Sequence, residues 1–137
     1  GRVEIMESGQ EMATYCERVE NIVDDEERLN RLLSILAYGR RRSVLRYLTD
    51  HSDETSLEEL TEYIASKTST DSEPTKQILK RVYVSLYQTH LKVMDDIDVL
   101  GWNKSTGEVK ARSDIKKLNE LYRLKTGRRR IWRRLIS

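Results

Sequence analysis

The stretch Leu79–Trp102 constrains this chain more than any other part of it. It reads as a helix with one apolar face and one basic, amide-rich face, running straight into a β-like exit centred on Gly101. Successive helix residues turn by about 100°, so Leu79, Tyr83, Leu86, His90 and Met94 are expected on one stripe. Gln77, Arg81, Ser85, Gln88 and Lys92 are expected on the other. The second set carries the donors and acceptors that read base edges and phosphates in a major groove. A solvated face would explain it equally well in isolation, so the flanking segments decide.

Upstream, Asp24 or Asp25 can cap a helix whose first turn holds Glu26 and Glu27, where the helix dipole favours acids. Leu29, Leu32, Leu33 and Leu36 give that helix its apolar side, and Gly39 can end or hinge it. A second helix is expected from Arg40 to Asp50, burying Val44, Leu45 and Leu48. Asp53 to Ser56 reads as a turn, and Ser56 with Glu59 forms a capping box for a short helix carrying Leu57, Leu60 and Ile64. Thr68 to Thr75 is a polar loop holding the only proline, Pro74, just before the long helix. Downstream, Val99–Trp102 and Glu108–Arg112 read as two strands around the turn Asn103–Gly107. A last amphipathic helix is expected from Ser113 to Leu124, capped by Ser113 or Asp114 and burying Ile115, Leu118, Leu121 and Tyr122.

Three helices followed by a small hairpin is the layout of a winged helix-turn-helix, which presents its third helix to the major groove. The fold class expected is therefore mainly α with a small β-hairpin, a winged helix-turn-helix with extra N- and C-terminal helices. Residues 25–112 form the winged domain, 1–24 a polar extension with a helix over Gln10 to Val23, 113–126 the C-terminal helix, and 127–137 a basic tail.

Composition narrows the function. The chain has 137 residues, 37% hydrophobic and 35% charged, with no apolar run near the roughly 18 residues a membrane span needs. No signal-peptide pattern opens it, and a cytoplasmic location is expected. Cys16 is the only cysteine, which excludes an intramolecular disulfide and a thiolate metal cage within one chain. No basic cluster or histidine near Cys16 would lower its pKa, so it reads as inert. His51 and His90 complete a poor ligand set, and neither a cofactor nor a small-molecule ligand is expected. No nucleophile with a base at usable spacing, no phosphate-binding glycine loop and no apolar carboxylate pair occurs, so an enzyme is not expected. The net charge of +2 hides an asymmetry: −7 from Gly1 to Asn103 against +9 from Lys104 to Ser137. A basic third on an acidic body suggests a polyanionic partner.

Several segments resemble a known family. His90-Leu91-Lys92-Val93-Met94-Asp95-Asp96-Ile97-Asp98-Val99-Leu100 is similar to the His-Leu-x-x-Leu-x-x-x-Gly-Val/Leu-Val signature that closes the recognition helix of ArsR-like regulators. Leu33 to Leu36 with Arg40 to Leu48 resembles their first-helix pattern of arginines before Leu-Arg-Tyr-Leu, and Thr55 to Ala65 their second helix. Over Leu29 to Arg112 the closest resemblance is to a winged-helix family of unknown function abundant in halophilic archaea. Three departures stand out: Lys92-Val93-Met94 replaces the usual Pro-Lys-Leu, Asp98 stands where a glycine is usual, and the chain lacks strong haloarchaeal acidity. The metal-sensing cysteine pairs of many ArsR regulators are absent, so metal sensing does not carry over.

Residue by residue, Gln77, Arg81, Ser85, Gln88 and Thr89 are the candidates for base-edge contact, because Arg suits guanine and Gln suits adenine. Lys76, Lys80 and Lys92 suit phosphates. Lys104, Lys110 and Arg112 on the wing would reach a minor groove or its backbone. Arg128, Arg129 and Arg130 suit a DNA-clamping arm, with a membrane-surface segment anchored by Ile131 and Trp132, or a solubilising end, as the alternatives. The run Arg40-Arg41-Arg42 would either touch backbone or pair with the acids of Asp24 to Glu27. His90 is expected as a hydrogen-bonded core histidine. The function expected is a sequence-specific DNA-binding transcriptional regulator acting as a homodimer on double-stranded DNA, paired through the N-terminal helix and the Ser113–Leu124 helix. The alternative is a winged-helix protein-interaction module, which the acidic run Asp95-Asp96-Asp98 would favour.

Overall fold

A computed structural model describes residues 25–68 and 73–124, with short helical pieces at 13–14 and 17–18. Apart from those pieces the expected N-terminal helix lies outside the described residues, as does the arginine tail at Arg128, Arg129 and Arg130.

Helix α1 (Glu26–Leu36) starts at Asp25, whose Oδ1 accepts from the N–H groups of Glu27 and Arg28 at 3.0 and 3.4 Å. Its buried side is Leu32, Ile35 and Leu36. Helix α2 (Gly39–Asp50) follows after a two-residue break and buries Val44, Leu45 and Leu48. The strand β1 (Glu54–Ser56) then leads into helix α3 (Leu57–Thr68). Ser56 Oγ accepts from Glu59 N–H at 3.2 Å, as a capping box requires. The Glu59 carboxylate turns instead to the hydroxyls of Thr55 and Tyr47.

The long helix begins as α4 (Lys76–Ser85), capped by Thr75, whose Oγ1 accepts from Ile78 N–H at 3.2 Å. A single π-helical turn, Leu86–His90, interrupts it, with Leu91 N–H reaching back five residues to Leu86 O. Helix α5 (Leu91–Asp96) continues from there. The π turn inserts one extra residue and so shifts the inward register. The buried line runs Val82, Leu86, His90 and Leu91, then Met94. Tyr83, expected in the core from uniform 100° spacing, is instead 39% exposed.

Helix α5 ends in a left-handed residue, Asp98, at φ 66°. Val99 N–H reaches Met94 O at 3.2 Å and Asp98 N–H reaches Asp95 O at 2.9 Å. That is the paired closure of a Schellman end, with Met94 and Val99 both fully buried beneath it. Asp98 therefore takes the turn that the glycine of the resembling family would take.

The wing is β2 (Leu100–Trp102) and β3 (Glu108–Ala111), antiparallel, with Gly101 opposite Lys110. Asn103 Oδ1 accepts from the N–H groups of Ser105 and Thr106, and Gly107 takes a φ of 82° to close the turn. The segment Glu54–Ser56, expected as a turn, pairs antiparallel with β3, so the sheet has three strands in the order β1-β3-β2. Three residues carry no strand signal of their own; the partner edge makes them one.

A last helix, 115–124, packs Ile115, Leu118 and Leu121 into the same core that α1 to α5 share. The Asp114 carboxylate before it binds Arg28 of α1 and Lys117 rather than capping the helix. The architecture is a winged-helix fold, mainly α with a small antiparallel sheet, and the additional C-terminal helix is part of its core. No described helix is long and apolar enough to cross a membrane.

Candidate nucleic-acid interface

Packing fixes which side of α4 looks outward. With Val82 and Leu86 held in the core and α3 packed alongside, the opposite side of the helix stays free. On it lies an open groove of about 650 Å³ lined by Gln77, Lys80, Arg81, Val84, Ser85, Gln88 and Thr89, with Arg40 of α2 as the facing wall. All five residues expected to meet base edges thus share one concavity, joined by one of the three expected phosphate contacts, Lys80. Lys76 and Lys92 are exposed on the same long helix outside the groove.

The arginine run divides into three different roles. Arg40 borders the groove. Arg41 is 6% exposed; its Nε donates to His90 Nδ1 at 3.0 Å, and its guanidinium lies 4.1 Å from the centre of the Tyr38 ring. Arg42 donates to the Leu36 carbonyl at 2.7 Å, satisfying the end of α1. The Arg41 and Arg42 bonds described here are therefore with α1 and the π turn rather than with the acids near residue 25. The Arg41–His90 bond ties α2, the helix that carries Arg40, to the π turn.

This bond requires His90 Nδ1 to be an acceptor, hence a neutral ring. Burial pushes the His90 pKa below its ordinary value, and the charges of Arg41 and Arg40 push it further the same way. Burial also lowers Arg41, against an opposing contribution from Tyr38. His90 is the hydrogen-bonded core histidine that the sequence suggests.

The wing distributes its cations differently from the expectation. Lys104 stands in the turn with its Nζ 5.5 Å from the centre of the Tyr87 ring. Lys110 pairs with Glu54 of β1 at 3.1 Å. Arg112 pairs with Asp98 at 2.7 Å and lies 3.7 Å from Asp95. Lys110 and Arg112 thus serve the sheet and the helix end, which leaves Lys104 as the expected wing cation with no acidic partner among the described residues. Val84 and Tyr87 are surface residues that sequence reasoning left unplaced. Arg40 had a legible signal, a cation at a helix start against the dipole.

Among the described residues no group of three or more His, Cys, Asp or Glu is arranged to hold a metal ion. Fold and groove together define a winged-helix domain with an open groove lined by cationic and amide side chains. The chain belongs to the family described as Domain of unknown function (DUF7344), which matches residues 33–110, more than half of its length. No curated protein and no solved structure matches it.

Proposed function

We propose that this chain is a sequence-specific DNA-binding transcriptional regulator that lays α4 in the major groove. One observation carries the reading: Gln77, Arg81, Ser85, Gln88 and Thr89 converge on a single open groove with Lys80 and Arg40 at its margins. Arg81 and Gln88 supply bidentate donors and acceptors for base edges, and Lys80 and Arg40 supply phosphate charge. The resemblance to ArsR-like regulators supports the same use of this helix. The acidic run at its end, which would favour a protein-interaction module, is offset by Arg112 at Asp95 and Asp98.

Two copies would read a two-fold site with their recognition helices about one DNA turn apart. Helix 115–124 does not offer the expected dimer stripe, because Ile115, Leu118 and Leu121 are already buried within one chain. A homodimer would therefore pair through other surfaces.

Fluorescence anisotropy with duplex DNA tests the proposal. Binding to random duplex is expected at low salt, with log affinity falling linearly against log salt. Lys80→Ala should reduce that slope by about 0.9, one phosphate contact. On a duplex selected from a randomised pool, Arg81→Ala should weaken binding by at least about fivefold and relax one base position, since a bidentate pair discriminates by roughly 1–3 kcal/mol. A wild-type chain that binds no duplex at 50 mM salt, or Arg81→Ala that binds the selected duplex like wild type, would refute it.

A further inference from the structure

We propose that the wing-side flank of α4 and the π turn holds the sugar–phosphate backbone of one DNA strand through the phenol hydroxyls of Tyr83 and Tyr87, independently of base sequence. This rests on the DNA reading above and adds a second, non-reading surface to it.

The flank is a continuous stripe. Lys76, Lys80, Tyr83 and Tyr87 follow one another at spacings of four, three and four residues, which puts them on one side of a helix. All four are exposed. The two tyrosine rings lie parallel at 4° with centroids 6.3 Å apart, and Lys104 extends the line onto the wing by standing over Tyr87. From Lys76 to Tyr87 the stripe runs about 16 Å along the helix, enough to follow several consecutive phosphates. No acidic residue occurs between Lys76 and Lys92.

The choice of ligand follows from what the rings leave free. Tyr87 already has Tyr83 parallel to it, Lys104 over it and Trp102 meeting it edge-on at 89°. A ring so surrounded is a poor stacking platform for an unpaired base. The hydroxyls are different: neither Tyr83 nor Tyr87 donates to any partner among the described residues, and each is more than a third exposed. Water serves them in the free protein, and phosphate oxygens would serve them in the complex, as tyrosine commonly does on duplex DNA. A second copy of the chain is the competing occupant. The lysines at Lys76, Lys80 and Lys104 argue against it, because lysine is depleted in protein–protein interfaces.

The test uses the full chain and a 20-base-pair duplex of random sequence, with far-UV circular dichroism to confirm folding. The double substitution Tyr83→Phe with Tyr87→Phe removes two hydroxyls and keeps both rings. Affinity should fall by at least about tenfold on every duplex tried, since even one lost bond to a charged oxygen is worth about that much. The salt slope should stay unchanged, while Lys104→Ala lowers it by about 0.9. If wild type binds and the phenylalanine variant binds equally well, the hydroxyl contact is overturned while the groove reading stands. If sedimentation shows that Tyr83→Ala with Tyr87→Ala turns a wild-type dimer into a monomer, and the phenylalanine variant binds DNA normally, the stripe is a dimer face instead. If wild type binds no duplex, both readings fall together.

Discussion

Asp98 offers a sharp test of how the long helix is joined to the wing. It holds a left-handed backbone at φ 66°, and its carboxylate accepts from Arg112 at 2.7 Å. The two effects oppose each other under Asp98→Gly. A left-handed conformation costs an ordinary L-residue roughly 1–2 kcal/mol, and less for Asp, so glycine relieves some strain. Glycine also adds freedom to the unfolded chain, which returns roughly 0.4–1 kcal/mol. The ion pair is between side chains 50% and 68% exposed. An exposed pair of this kind contributes roughly 0.2–1 kcal/mol. Asp98→Gly is therefore expected to lie within about 0.5 kcal/mol of wild type. Asp98→Ala loses the same ion pair but keeps the strain, and should fall about 1 kcal/mol below glycine, near 4 °C in Tm. Urea unfolding followed by circular dichroism measures both, with equal m-values confirming that the same surface unfolds. Alanine equal to glycine would refute the left-handed helix end. Glycine more than about 1 kcal/mol below wild type would show that the Arg112 pair outweighs an ordinary surface pair.

Two further outcomes follow from the core beneath the groove. Leu86 is fully buried where the π turn begins, so Leu86→Ala should cost roughly 2–5 kcal/mol by urea unfolding. A loss under about 1 kcal/mol would mean the helix does not seat there. His90 has a folded pKa below its ordinary 6.5, so the folded state binds that proton less tightly than the unfolded chain. Its stability is complete above pH 6.5 and is lost as the pH falls through the lower folded value. Wild type should therefore lose more stability than His90→Gln between pH 7.5 and pH 5.5, and equal losses would contradict the Arg41–His90 bond.

Much of the fold was legible in local chemistry. Asp25 and the Ser56–Glu59 pair occupy helix starts because their side chains accept orphan N–H groups, a property that works over two or three residues. The hairpin was legible for a related reason, since Asn103 and Gly107 suit the turn they make. The polar face was legible as well: Gln77, Arg81, Ser85 and Gln88 recur at helical spacing, and polar residues at that spacing share one side of a helix.

The tertiary structure decided what depends on a partner far along the chain. Glu54–Ser56 became a strand because β3 lies beside it. Tyr83 left the core because the π turn and Val82 settled the inward register of the long helix. The stripe of helix 115–124 closed the core instead of a dimer. Lys110 and Arg112 met Glu54, Asp95 and Asp98, while Lys104 met no acid among the described residues. Periodicity assigns residues to a face, but which face is buried, and which charge is already matched, depends on the other elements packed there. The sequence by itself therefore determined a two-faced helix running into a wing. Only the packing of α2, the π turn and the sheet decided that its polar face is an open groove with Arg40 at one wall and a tyrosine stripe on its flank.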